Sequence, residues 1–412
     1  MRPRSLTPPK KHRKPRVKHL VVSLLVLAVA GCYGAIAITR PFNELTPQIA
    51  TSDLTITTPA SNLPWPSYGQ GAVGLGDGEV IAKYGEQTPL PIASAAKVVT
   101  ALLVLERYPL TTDSNGPTLT MTDNDVALYK KYISIDGSVT PVASGQKLTE
   151  RQMLEALLLP SANNIADALA IWAYGSVQSY ITAANAYLQK QGLKDTTIGG
   201  DASGYLPDST STTVDLVKLG ALAMKNPVVA QIIAQKTAVI PGVGTVRNYN
   251  SLLGANGIVG IKTGNNDQNG GVFMGASNMT VNNKTVTIIS ALSGAPTLST
   301  VLRDSNTLLA AARTTFAKTT IVTKGAVLGT YTQANGEHIQ AVAANDLILS
   351  VFRGTTVKAH VKLQAIGYNA KAGQTVGYVT VAATEFNSAQ SIPVILKQTP
   401  VKPDITYRLL HP

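Results

Sequence analysis

Three short strings in this chain carry the residue types of a serine nucleophile and the groups that activate it. They are Ser94-Ala95-Ala96-Lys97, Ser161-Ala162-Asn163 and Lys262-Thr263-Gly264. A serine hydroxyl attacks well only when a base takes its proton. Lys97, three residues beyond Ser94, lies one turn away on the same face if the segment is helical. A lysine is a base only while neutral. Burial favours the neutral form, and a second cation favours it further. Lys262 would be that cation if the fold brings it close. The same helix end would aim the Ser94 backbone N–H at a developing oxyanion. Ser161 can relay a proton to a leaving amine. Asn163 is both donor and acceptor and can hold Lys97 and a substrate amide at once. Lys262 and Thr263 suit a substrate carboxylate, and Gly264 lets a substrate backbone lie beside a strand. Each string alone has a plainer reading: an N-cap serine with a snorkelling lysine, a helix start, a strand end. The three together, in this order, point to nucleophilic acyl transfer.

The histidines narrow the choice of base. His12, His19, His338, His360 and His411 all lie outside residues 20–337. A Ser-His-Asp triad or a histidine metal site among the three strings is therefore excluded. Cys32 is the only cysteine, which excludes a disulfide and cysteine-ligated zinc. No metal or cofactor is expected.

The elements that must position these residues can be read from pattern. QGAVGLGDGEVIAKYG alternates apolar residues around a Gly-Asp-Gly turn and predicts a hairpin. Ile92-Ala93-Ser94 opens a helix whose apolar residues crowd most of its circumference, so it should be buried. Thr149-Glu150-Arg151-Gln152 is a capping box, Pro160 ends the helix it starts, and Ser161 falls at the break. Helices are predicted from about Asn164 through Trp172 and over 177–191, 213–225, 227–235 and 300–317. Strands are predicted at 238–240, 257–264, 271–276 and 285–291. After Thr319, Val, Thr and Ile recur between Gly turns, the texture of a separate small β domain. The fold class is α+β. The expected organisation is a basic tail (1–19), an apolar anchor (20–39), a Thr/Pro/Ser-rich linker (40–64), a catalytic domain (65–318) and a β-rich domain (319–412).

The net charge of +12 in 412 residues resembles that of a nucleic-acid binder, but its distribution argues otherwise. Eight Lys or Arg fall in residues 1–19, leaving +4 for the rest, so no nucleic-acid partner is expected. The uncharged run Leu20–Thr39 is long enough to span a bilayer, with the cations on its N-terminal side. The expectation is a single-pass anchor at the cell membrane with the body exported. Ala28-Val29-Ala30 leaves a cleaved signal peptide open, and Val29-Ala30-Gly31-Cys32 leaves a lipoprotein site open.

At the three strings the chain resembles the low-molecular-mass penicillin-binding proteins, the peptidase S11-like serine-type D-Ala-D-Ala carboxypeptidases. IASAAKVVTALLVLE is similar to that family's nucleophile helix, and LTERQMLEALLLPSANNIADALA to its second motif. NYNSLLGANGIVGIKTGNNDQNGGVFMGAS is similar to its third-motif strand, and AKAGQTVGYVTV to part of its β-rich domain. The resemblance implies an antiparallel sheet with flanking helices, a helical subdomain, and an active site between them. It implies that Ser94 is acylated, that Lys97 is the base, that Ser161 and Asn163 transfer protons and position groups, and that Lys262, Thr263 and Gly264 bind substrate. It also makes the backbone N–H of Asn265 the second oxyanion donor. The implied substrate is a peptidoglycan stem peptide ending in D-Ala-D-Ala, with β-lactams as covalent inhibitors. The chain departs from the family in two places. Asn265-Asn266 replace the usual His or aromatic followed by Thr. Where many members have a carboxylate-binding arginine, Val301 stands, and Arg303, two residues on, is the candidate. Two alternatives remain on the same scaffold. A serine β-lactamase needs an extra glutamate, and no Glu occurs between Glu155 and Glu337; Asp201 or Asp208 would replace it only by special geometry. An endopeptidase or transpeptidase would use the same residues.

Overall fold

The computed structural model describes residues 16–59, 62–266, 270–383 and 387–411; residues 1–15 of the basic tail lie outside these. Helix α1 (Arg16–Thr39) contains the apolar run, and its Lys18–Thr39 stretch is long and apolar enough to cross a membrane.

The catalytic region is built on a five-stranded antiparallel sheet. Its strand order is Ile258–Asn266, Gly270–Val281, Lys284–Ala295, Gln70–Leu75, Val80–Tyr84. The predicted hairpin forms the last pair. The two longest strands are joined by Asn282-Asn283, both at positive φ (50° and 62°), as a two-residue hairpin turn requires. Side chains alternate across the sheet. Ile289 and Ala291 face the helical side, while Ile288 and Leu292 face the opposite side.

On the helical side lie α2 (Ala96–Arg107), α3 (Asp123–Ser134), α4 (Glu150–Leu158), α5 (Asn163–Tyr174), α6 (Val177–Lys190), α7 (Thr213–Lys225) and α8 (Pro227–Ile233). α9 (Leu298–Thr314) covers the opposite face. Every residue of α2 from Ala96 to Leu105 is buried, so it runs through the centre of the subdomain as its all-round apolar pattern predicts. Each fully buried Leu or Val there contributes roughly 1.5–3 kcal/mol. That burial fixes the helix that follows Ser94.

The C-terminal region is a seven-stranded antiparallel sheet, and here the expected organisation is corrected. The supposed linker 40–64 supplies both edge strands: Pro47–Ile49 pairs with Val327–Thr332, and Asp53–Thr57 pairs with Thr356–Leu363. Only residues 50–52 join these edges, so the sheet curls until its edges meet. Leu45 and Ile366 exchange backbone hydrogen bonds at 2.8 and 3.0 Å. Leu54 and Ile56 alternate inwards, but the signal is only five residues long and lies among Thr and Pro, and its partners are some three hundred residues away. The expected boundary at residue 319 falls inside the strand Phe316–Val322, which continues from α9. A short helix, α10 (Ile405–Leu410), packs on the end of α1, where the Tyr33 hydroxyl donates to the Leu409 carbonyl at 2.7 Å.

Candidate active site

Ser94 lies in a single 3₁₀ turn, Ala93–Ala95, that runs straight into α2. One turn on, Lys97 is fully buried. Its Nζ is 2.8 Å from Ser94 Oγ, 2.7 Å from Asn163 Oδ1 and 2.9 Å from the Ser203 carbonyl. The two oxygens of Asn163 and Ser203 only accept. A neutral amine has two N–H groups and one lone pair. A neutral amine that gave both N–H groups to those acceptors would turn its lone pair to the Ser94 hydroxyl, while a charged one donates to Ser94 Oγ as well. Burial brings the Lys97 pKa down to about 7, against the opposing pull of Asp201 and Asp167.

The second string is placed by the break after α4. The capping box forms as predicted: the Thr149 side chain accepts from the Gln152 N–H, and the Gln152 side chain accepts from the Thr149 N–H. Ser161 then adopts φ 64°, turning the chain so that α5 starts at Asn163. The Asn163 N–H donates to the Ser138 carbonyl at 2.7 Å, and Asn164 clamps both backbone groups of Thr140. A Cβ on Gly137 would lie 2.8 Å from Asn163 Nδ2, so glycine there leaves room for the amide. Ser161 Oγ is buried and has no hydrogen-bond partner among the described residues.

The third string lies on the edge strand Ile258–Asn266. A Cβ on Gly264 would lie 3.0 Å from the Ile92 carbonyl oxygen and 3.2 Å from the Ser94 nitrogen. The strand and the turn that holds Ser94 are therefore in direct contact, and Asn265 is the next residue. Lys262 and Thr263 are buried, and Lys262 Nζ donates to the Thr263 carbonyl at 3.0 Å. Burial, then the neighbouring Lys97, holds the Lys262 pKa well below the usual lysine range. The three strings thus meet in one place.

Arg303 does not join them, and its candidacy is corrected. It sits on α9, across the sheet from α2, with its side chain 72% exposed and paired to Asp304 at 2.8 Å. Asp304 in turn accepts from the Tyr68 hydroxyl. Val301, in the position the resemblance favoured, is a core residue. Proximity in sequence to the strand misled here, because the helical turn points Arg303 to solvent.

One participant was not legible: the Ser203 carbonyl, a backbone group that any residue could supply. The signal that could have found it is Asp201. Its buried carboxylate accepts from the N–H groups of Ser203, Tyr205 and Leu206 and from the Ser203 hydroxyl, folding the loop that presents that carbonyl. Asp201 is thus a turn builder. Asp208 accepts from the Gly200 N–H. The Asp201 oxygens are therefore committed to their own loop.

Residues 72–297 match the peptidase S11 family, described as D-alanyl-D-alanine carboxypeptidase. The D-alanyl-D-alanine carboxypeptidase DacB2 of Mycobacterium tuberculosis is 32% identical over 209 residues, spanning 49% of this chain and 67% of that relative. The crystal structure of the Streptomyces K15 DD-transpeptidase superposes with a TM-score of 0.54 at 25% identity, covering 61% of this chain and 98% of that one. Penicillin binding protein 5 from Haemophilus influenzae shares the fold over 82% of this chain and 100% of its own, with a TM-score of 0.57 at 19% identity.

Proposed function

The chain belongs to the peptidase S11 family of D-alanyl-D-alanine carboxypeptidases, and from that premise we propose a mechanism for its own residues. It is a serine-type D-Ala-D-Ala carboxypeptidase acting on peptidoglycan stem peptides, on a scaffold that also binds β-lactams. The observation that carries the residue roles is the Lys97 amine, buried between Ser94 Oγ, Asn163 Oδ1 and the Ser203 carbonyl.

In this reading neutral Lys97 takes the Ser94 proton as Oγ attacks the carbonyl carbon of the penultimate D-alanine. The oxyanion is received by the backbone N–H groups of Ser94 and Asn265. The Lys97 proton passes by way of Ser161 to the leaving nitrogen, the C–N bond breaks, and terminal D-alanine departs as a free amine. Lys97 is then neutral again and can deprotonate the water that cleaves the Ser94 ester. Lys262 and Thr263 receive the substrate's terminal carboxylate, and the peptide lies along the edge strand as an added strand. That carboxylate favours a charged Lys262, and a charged Lys262 favours a neutral Lys97. A β-lactam acylates Ser94 by the same attack, but its leaving nitrogen stays tethered.

The apolar helix α1 is compatible with a membrane anchor or a signal sequence. We favour an anchor with the catalytic body on the extracytoplasmic side, since the cations precede the helix. Intact mass of the membrane-extracted protein tests this; an N-terminus near Gly31 or Cys32 would refute it.

The activity test is incubation with fluorescent penicillin and with a D-Ala-D-Ala pentapeptide, beside Ser94→Ala. Labelling and D-alanine release that vanish in Ser94→Ala are expected. Fast penicillin turnover would instead favour a β-lactamase. Transfer of the acyl group to an added amine would favour transpeptidation.

A further inference from the structure

Asn163 and Asp167 are four residues apart on α5 and so share a face. Asp167 is only 2% exposed. One carboxylate oxygen accepts from the Tyr132 hydroxyl at 2.8 Å, and the other from the Ala202 N–H at 3.1 Å. The Ala202 carbonyl accepts from the Thr100 hydroxyl at 2.7 Å, and the next carbonyl, that of Ser203, accepts from Lys97 Nζ at 2.9 Å. Lys97 and Thr100 are themselves one turn apart on α2. The strip Ala202–Ser203 is thus fastened to α2 at two points and to α5 at one, and the fastening on α5 is the Asp167 carboxylate.

We propose that Asp167 is a positioning residue for Lys97: it holds the Ala202–Ser203 strip so that the Ser203 carbonyl meets Nζ, and it places a buried negative charge near the amine. This rests on the proposed role of Lys97 as base. The other titratable groups are Asp201 from the loop and Lys262 from the edge strand beside the amine, Tyr132 and Lys131 from α3 beside Asp167, and Tyr180 from α6, which meets α2 through Thr100. Asp201 also bears negative charge, but its oxygens are taken up in folding its own loop. Asp167 contributes charge and tether together. Lys131 reaches it at 3.7 Å from an exposed position and compensates only part of that charge.

The sign of the effect follows. A carboxylate near an amine favours the protonated ammonium, so removing the charge lets Lys97 become neutral at lower pH. Asp167→Asn retains an acceptor for the Ala202 N–H and removes the charge. The measurement is the rate of Ser94 acylation by fluorescent penicillin from pH 5 to 9. In Asp167→Asn the acid limb should move to lower pH, raising the rate at pH 6 relative to pH 8 by about threefold, the effect of a half-unit shift. Asp167→Ala, which also removes the tether, should slow acylation about tenfold or more at every pH. A folded Asp167→Asn with the wild-type pH profile overturns the inference. If that variant fails to fold, Tyr132→Phe serves: without the phenol, Asp167 is more easily protonated, and the limb should move the same way. An unchanged profile there overturns the inference too. If wild type shows no Ser94-dependent acylation, the base assignment itself falls. If wild type acylates at Ser94 and only the variant profiles stay unmoved, Asp167 alone is wrong.

Discussion

Lys97 and Lys262 are both buried, and a charge on Lys97 opposes a charge on Lys262. Two ammonium groups in one dry site disfavour each other, so the pair sheds a proton more readily than either lysine would alone. The sign for activity is clear. In the proposed role of base Lys97 must be neutral, and its pKa lies at about 7. Acylation should therefore fall on the acid side of neutrality, approaching tenfold per pH unit well below that point. In the substrate complex, where the carboxylate keeps Lys262 charged, Lys262→Ala removes the opposing cation. Lys97 should then keep its proton to higher pH, and the acid limb should move upwards. Loss of the charge-assisted contact to the substrate carboxylate should also lower D-alanine release by about tenfold to a hundredfold. pH–rate profiles of wild type and Lys262→Ala, taken with the pentapeptide, check the two effects separately. An acid limb that does not move in Lys262→Ala would mean that the lysines do not communicate.

Ser161 should separate stability from activity. Its hydroxyl is buried and unpartnered among the described residues, and an unsatisfied buried donor costs about 1–3 kcal/mol. Ser161→Ala removes that cost and keeps the Cβ that the φ of 64° already accommodates. The variant should melt at the wild-type temperature or above it. Its pentapeptide turnover should fall about a hundredfold, the scale of a lost proton relay. Calorimetry with a D-alanine release assay decides the matter. A variant that melts earlier and turns over normally would show that the hydroxyl serves the fold.

Glu150, the first residue of α4, is a buried carboxyl whose oxygens have no hydrogen-bond partner among the described residues. Burial alone raises its pKa to about 7. In the unfolded chain a glutamate ionises near 4.3. Between these values the folded protein binds more protons than the unfolded one, so this group makes stability fall as pH rises from about 4 to 7. Above pH 7 the penalty is complete. Glu150→Gln should therefore melt higher than wild type at pH 8, and the difference should shrink towards pH 4. Melting curves across that range test it; a difference of the same size at both ends would assign the effect to packing instead of ionisation.

The legible part of this protein was its local chemistry. The capping box at Thr149, the break at Pro160, the all-round apolar helix after Ser94 and the hairpin around Asp77 are short-range patterns, and each formed where its residues required. The approach of the three strings was legible only in combination, because nothing in any one of them specifies contact with the others. What escaped was non-local. The Ser203 carbonyl has no side-chain signature. Arg303 lies near the strand along the chain, but the turn of α9 directs its side chain to solvent. The strands Pro47–Ile49 and Asp53–Thr57 lie in a segment whose composition is that of a spacer, and their pairing partners come after the whole catalytic domain.

Those two strands give the last prediction. They occupy both edges of the C-terminal sheet and close it, adding the Leu45–Ile366 bridge, the Ala50 N–H on the Leu328 carbonyl and the Val361 N–H on the Ser52 carbonyl. A version of the protein beginning at residue 65 would lose all of these. Its strands Val327–Thr332 and Thr356–Leu363 would become open edges, and their free N–H and C=O groups would template pairing with other chains. The burial of Leu45, worth roughly 1.5–3 kcal/mol, would go as well. That version should self-associate and lose the cooperative unfolding of its β-rich part. A version beginning at residue 41, which keeps both strands and lacks the apolar helix, should stay monomeric. Size-exclusion chromatography and thermal unfolding of the two, compared at equal concentration, read the difference. If the shorter version is monomeric and melts like the longer one, the segment is the spacer its composition suggests, and the pairing of its strands contributes nothing to the fold.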